Sequence, residues 1–284
     1  MKSMMMKSGL LAAAAVLALT AGVSADPVDE QLVIDGQEMI TRAKAPEGHP
    51  FDEVLSGWLY REAETRKLEE DSFDNPGMLS VEEGEEIWNT VEGTAGKSCA
   101  SCHDDAADTM AGIAANYPKW DPDAKRPINI ELQINKCREE NMGAEPYAFD
   151  KSGQKELTAY IKHQSLGDPV SVDLSQGEMQ QWWERGKDVY YTRTGQLNLS
   201  CASCHEQNNG NYIRADHLSQ GQVNGFPTYR LKTGLTSLHN RFRGCVRDTR
   251  AEIPKAFSDD LMALETYVTW RGTGLSVETP SVRQ

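Results

Sequence analysis

Apolar positions spaced for helices recur at matching places in the two halves of the chain. Leu157, Tyr160 and Ile161 stand at i, i+3 and i+4, and Leu264, Tyr267 and Val268 repeat that stripe further on. Such spacing gathers three side chains on one face of an amphipathic helix. Residues 82–89 and 184–191 read as two more helices, each with one aromatic aimed inward, Trp88 and Tyr190. The preceding segment is most apolar at 51–60. A charged helical stretch at 61–71 follows it, and Asp74-Asn75-Pro76-Gly77 closes it with a strong turn signal. No strand ladder is recognisable, although the frequent Gly and Asn of 208–225 leave room for a short hairpin.

The helical repeat brackets a repeated motif. Cys99-Ala100-Ser101-Cys102-His103 recurs as Cys201-Ala202-Ser203-Cys204-His205, and the same interval carries Gly84 onto Gly186 and Trp88 onto Tyr190. Cys-x-x-Cys-His is the attachment signature of a c-type haem. Its thiols, Cys99 with Cys102 and Cys201 with Cys204, are spaced to form thioethers to the vinyl groups of one porphyrin. The adjacent His103 or His205 then lies under the iron as proximal ligand. The expectation is two covalently bound haems c on a mainly α fold: two tandem cytochrome c-like domains related by internal duplication, with an N-terminal extension. The boundaries fall at 1–25 for a signal peptide, 26–77 for the extension, 78–168 for the first domain and 169–284 for the second, which carries the active site.

Composition narrows the partners. The 284 residues are 25% charged and 39% hydrophobic, with 29 Lys and Arg against 43 Asp and Glu, a formal net charge of −14. That balance suits a soluble globular chain and disfavours generic binding to nucleic acid or anionic lipid. Lys2 and Lys7, an apolar stretch at 10–20 and Val23-Ser24-Ala25 make a signal peptide, which places the mature chain in an oxidising compartment, most simply a periplasm. No other apolar run approaches the ~20 residues of a membrane span.

Of the six cysteines, Cys137 and Cys245 remain, one per half. They are candidates for a disulfide joining the halves, or for the sixth ligand of each iron, since a thiolate is a good iron ligand. Met142, Met262 and the histidines compete for that second role. Arg230, Lys232, Arg241, Arg243, Arg247 and Arg250 surround Cys245 with only Asp248 opposing them, whereas Asp104, Asp105 and Asp108 follow the first motif. Guanidinium groups match oxyanions in geometry and charge, so the basic patch points to an anionic substrate, with a solvated face or haem propionates as the bland alternative. His217 and His239, near the patch, read as surface or loop histidines ahead of ligands or proton carriers.

These features together resemble one family, the diheme A subunit of the SoxAX cytochrome of thiosulfate oxidation. They are Ser56-Gly57 with Asp74-Asn75-Pro76-Gly77, both cysteine motifs, Cys137-Arg138, and Arg241-Phe242-Arg243-Gly244-Cys245. The resemblance implies an L-cysteine S-thiosulfotransferase that joins thiosulfate to a cysteine of the SoxYZ carrier, working as a heterodimer with SoxX, a small cytochrome c. It further implies His/Cys axial ligation, by His103 with Cys137 and by His205 with Cys245. Cys245 would then be the catalytic cysteine, often held as a persulfide, and Arg241 the catalytic arginine. Two other classes fit the motifs: a diheme electron-transfer cytochrome, which needs no reactive cysteine, and a diheme peroxidase, which needs an open iron site with acid–base groups beside it.

Overall fold

Short strands come first in the chain. In the computed structural model, which describes residues 27–214 and 216–284, β1 (Val33–Ile34) pairs with β2 (Gln37–Glu38) and β3 (Arg42–Lys44) with β4 (Glu53–Leu55). The expected signal peptide lies outside the described residues. A 3-10 turn at Gly57–Tyr60 follows, capped by the Ser56 hydroxyl, and leads to α1 (Ala63–Glu70). Leu32, Ile34, Met39, Trp58, Leu59 and Tyr60 form a small core of their own.

Two similar successions follow. The first runs α2 (Met78–Asn89), α3 (Ala100–His103), α4 (Ala106–Thr109), the hairpin β5 (Lys119–Asp121) and β6 (Arg126–Ile128), α5 (Ile130–Cys137) and α6 (Gln154–His163). The second runs α7 (Met179–Tyr191), α8 (Cys201–His205), a hairpin of β7 (Tyr212–Ile213) and β8 (Asp216–His217), and another of β9 (Thr228–Arg230) and β10 (Gly234–Thr236). It ends with α9 (Leu238–Asp248), α10 (Asp259–Arg271) and β11 (Ser281–Arg283), which lies parallel to β9. The hairpin at 212–217 falls where Gly and Asn allowed one. The hairpins ahead of α5 and α9 escape the sequence because strands of three residues are too short to show alternation. Helix α2 starts earlier than expected because Asn75 folds the turn, its Oδ1 accepting from the Gly77 N–H at 2.9 Å, so the helix begins at once.

Each succession is held by one helix crossing. Gly84 of α2 lies against the Glu156 carbonyl and Tyr160 of α6, and Gly186 of α7 lies against the Ala263 carbonyl and Tyr267 of α10. A Cβ at either glycine would collide with the facing backbone, so the absence of a side chain sets how closely the helices approach. Trp88 and Tyr190, both buried, pack beside these crossings as their spacing predicted.

The N-terminal segment precedes the first lobe in sequence but docks on the second. The Leu55 N–H donates to Gln220 Oε1 at 2.9 Å, the Ser56 hydroxyl to Glu278 Oε2 at 2.7 Å, and the Val282 N–H to Glu69 Oε2 at 2.8 Å. Asn75 Nδ2 donates to the Pro280 carbonyl at 2.9 Å. His49, between β3 and β4, rests against Trp270 of α10 with ring centroids 6.1 Å apart. The lobes themselves meet through Phe149 edge-on to Phe257 and through Asn129 Nδ2, which donates to Glu265 Oε2 at 2.9 Å. Among the described residues, no helix is long and apolar enough to cross a membrane.

Two outcomes follow from this packing. Gly186→Ala should destabilise the protein by about 1–3 kcal/mol, the cost of overpacking a tight contact. Denaturant unfolding measures this, and an unchanged midpoint would mean the helices part without cost. His49 is held at about pKa 4, chiefly by burial and then by the Arg271 charge, whereas an unfolded His titrates near 6.5. The unfolded chain therefore takes up a proton that the folded one refuses. Stability is whole above pH 6.5 and falls as pH drops from there towards about 4. His49→Gln should flatten the stability–pH curve in that window, and a curve of unchanged slope would assign the acid sensitivity elsewhere.

Candidate functional site

Both cysteine motifs are single helical turns tied by a serine pair. Ahead of the second, the Ser200 hydroxyl accepts from the Ser203 N–H at 3.3 Å and the Ser203 hydroxyl accepts from the Ser200 N–H at 3.1 Å. Ser98 and Ser101 repeat the arrangement at 3.1 and 2.9 Å. This is a capping box made by serine at both ends, and it satisfies two backbone donors that the helix start would leave open. It explains the serine inside each motif and the one just before it, a signal readable in the sequence only once the turn is known.

His205 is prepared as a neutral ligand. Its Nδ1 bonds the Ser219 carbonyl at 2.8 Å, which fixes the proton there and leaves the Nε2 lone pair free. Burial, partly offset by that bond, holds its pKa down to about 4, with Arg241 and Arg271 adding to the effect. Gly221, at φ +79°, packs against the imidazole, where a Cβ would press on the ring. Two thiols on one turn, a neutral imidazole behind them and a backbone cradle for its ring fit a covalent haem c. In the first lobe His103 lies 5.8 Å from the Trp88 ring, whose Nε1–H donates to the Asp104 carbonyl at 3.0 Å.

Each lone cysteine faces the motif of its own lobe. Burial pushes the Cys201 thiol up to about 12, with the nearby Cys245 adding to the shift, and Cys204 is raised for the same two reasons. Burial likewise pushes Cys99 up to about 11, and Cys137 is the next contributor. No disulfide joins Cys137 to Cys245. Met262 is fully buried on α10 and Met142 is buried at the end of the π-helical turn Arg138–Met142.

The arginines around Cys245 divide into committed and uncommitted groups. Arg61 pairs with Asp216 and donates to the His217 carbonyl at 2.7 Å. Arg283 pairs with Glu69 at 2.8 Å, and Arg271 with Glu206 at 2.7 Å. Arg230 and Arg241 make no side-chain hydrogen bond or ion pair among the described residues. Burial and then the Arg241 charge lower the Arg230 pKa, while Cys245 acts the other way, which places the three groups together. Burial lowers Arg61 to about 9, followed by repulsion from Arg283, Arg230 and Arg241.

Several members of the expected patch lie elsewhere. Arg243 and Arg247 are each two residues from Cys245, about 200° around the helix. Arg243 Nε donates to the Pro254 carbonyl at 3.0 Å, and Arg247, exposed, reaches Asp248 at 3.4 Å. His239 is neither a surface nor a loop residue. It is buried on α9, accepts the Phe257 N–H at Nδ1 and meets Glu265 Oε2 through Nε2 at 2.9 Å. His217 bonds the Tyr60 carbonyl at 2.8 Å and so anchors the extension. Arg61, Arg271, Arg283, Glu69 and Glu278 were missed because they come from remote segments with no motif of their own.

Fold and donor set define the class: a c-type cytochrome carrying covalent haem c. The family model described as SoxA/TsdA, cytochrome c domain, matches residues 83–170. The L-cysteine S-thiosulfotransferase subunit SoxA of Pseudaminobacter salicylatoxidans is 76% identical over 94% of each chain, and that of Paracoccus pantotrophus is 49% identical over 97% of each. A solved chain in the crystal structure of SoxXA from P. pantotrophus superposes with a TM-score of 0.87 at 48% identity, covering 91% of this chain and 100% of that one. The chain belongs to the family of L-cysteine S-thiosulfotransferase SoxA subunits.

Proposed function

We propose that the second lobe is the centre at which thiosulfate is joined to a cysteine thiol of a SoxYZ-type carrier. The observation that carries this reading is the pair of uncommitted guanidiniums, Arg230 and Arg241, beside the sulfur of Cys245. Neither an electron-transfer cytochrome nor a peroxidase needs them. Conjugation forms one S–S bond, releases the thiol proton and removes two electrons. Haem c, when bound, supplies the one-electron acceptor chemistry.

Residues of the chain divide the remaining work. Cys99 with Cys102 and Cys201 with Cys204 would each hold one of two haems c by thioethers, with His103 and His205 as proximal ligands and Cys137 and Cys245 as distal ones. Cys245 holds the sulfur adduct, and Arg241, one turn earlier on α9, grips the sulfonate end of thiosulfate with Arg230 beside it. The matched crossings at Gly84 and Gly186, and the matched hairpin–helix units ahead of Cys137 and Cys245, support an internal duplication that produced both lobes. The mature chain would work in the periplasm, paired with a SoxX-type small cytochrome and meeting its carrier transiently.

Cys245→Ala should abolish conjugation and any sulfur adduct while intact mass still counts two haems. Cys137→Ala should perturb the other haem's spectrum and keep substantial activity. Full activity in Cys245→Ala would overturn the assignment. For Arg241→Ala, loss of a charge-assisted contact of roughly 1.5–3 kcal/mol lowers turnover by about one to two orders of magnitude with haem spectra kept. Arg241→Lys should restore only part, since a point charge lacks the guanidinium fork. Steady-state kinetics decide this, and unchanged rates would give Arg241 a structural role.

A further inference from the structure

Cys137 and Cys245 occupy corresponding places on α5 and α9, yet the residue one turn earlier differs: Gln133 on α5 and Arg241 on α9. Residues four apart on a helix share a face. Gln133 uses that placement, its Nε2–H donating to Cys137 Sγ at 3.4 Å. Arg241 has no such partner among the described residues.

The other cations near Cys137 are occupied. Arg138 pairs with Glu92, donates to the Glu145 carbonyl at 2.9 Å and stacks 3.6 Å over the Tyr147 ring. Lys136 reaches Asp121 at 2.9 Å and Asp123 at 3.3 Å. An amide is neutral and here already bound to the sulfur. A guanidinium is charged and free to bind something else.

We infer that Gln133 is a positioning residue for the first lobe's sulfur, tuning the haem of that lobe through its N–H bond to Cys137. The inference rests on the proposed axial ligation by Cys137. An N–H bond to a ligating thiolate withdraws electron density from it, which weakens its donation to ferric iron and favours the reduced form.

Gln133→Leu removes the donor, and Gln133→Glu replaces it with a near-isosteric anion. Both are made in the full chain, assembled with its haems and its small cytochrome partner. In redox titrations followed by absorbance and electron paramagnetic resonance, Gln133→Leu should lower the first haem's reduced-to-oxidised ratio at fixed potential by roughly threefold to tenfold, the scale of one net hydrogen bond. Gln133→Glu should move it further the same way, and the second haem should not move. Variants that melt earlier but keep the first haem's potential and resonance signals would make Gln133 merely structural and overturn the inference. Cys137→Ala, measured alongside, separates the two failures. If it changes the first haem's spectrum while neither Gln133 variant shifts the potential, only the inference fails. If it changes nothing, the ligation reading falls and the inference with it.

Discussion

The second site depends on buried charge that has been paired. Glu278 and Glu69 have side chains 0% and 1% exposed, and Arg283 lies between them, 3.8 Å from the first and 2.8 Å from the second. Burial, followed by repulsion from Glu69, pushes the Glu278 carboxyl up to about 8, and the Ser56 hydroxyl and Arg283 oppose that rise. Removing one partner of such a pair leaves the other uncompensated, at about 3–5 kcal/mol. The cluster joins three remote segments: the extension through Ser56, Arg61 and Glu69, the β8 region through Asp216, and the C-terminal strand through Arg283. Because it saturates Arg61 and Arg283, the charge left uncommitted near Cys245 belongs to Arg230 and Arg241. The extension therefore acts as a source of counter-charge for the second lobe.

The first lobe presents the same local scaffold with the opposite electrostatics. Its helix crossing, serine-tied motif turn and hairpin before the cysteine helix all have counterparts in the second lobe. The cations adjoining its lone cysteine, by contrast, are satisfied within the lobe, Arg138 by Glu92 and Lys136 by two aspartates. The lobes differ in that Arg138 and Lys136 beside Cys137 are paired, whereas Arg230 and Arg241 near Cys245 have no side-chain partner among the described residues.

The parts legible in the sequence were those governed by short-range rules. The stripes at Leu157, Tyr160 and Ile161 and at Leu264, Tyr267 and Val268 became α6 and α10, and the cysteine motifs declared their chemistry by spacing alone. The patch around Cys245 was legible as composition but not as placement. Arg243 and Arg247 count in a list of cations, yet helical geometry turns them away from the sulfur. His239 looked polar and so exposed, whereas its partnership with Glu265 allows full burial. The docking of residues 27–77 on the second lobe had no sequence signal. It relies on contacts such as Gln220 with Leu55 and Glu278 with Ser56, which join residues remote in the chain.

A chain of formal net charge −14 gathering arginines at one sulfur poses an electrostatic problem that range resolves. Surface charges are screened over about 8–10 Å at physiological ionic strength, so the acidic exterior repels an approaching anion only weakly. Partly buried groups are screened less. Arg230 is itself depressed by burial and by Arg241, so their mutual repulsion is real and unrelieved by any carboxylate among the described residues. In the proposed reading, an anion held by both would offset that repulsion through charge-assisted contacts. The unpaired charge of Arg230 and Arg241 is therefore the feature on which the proposed oxyanion contact rests.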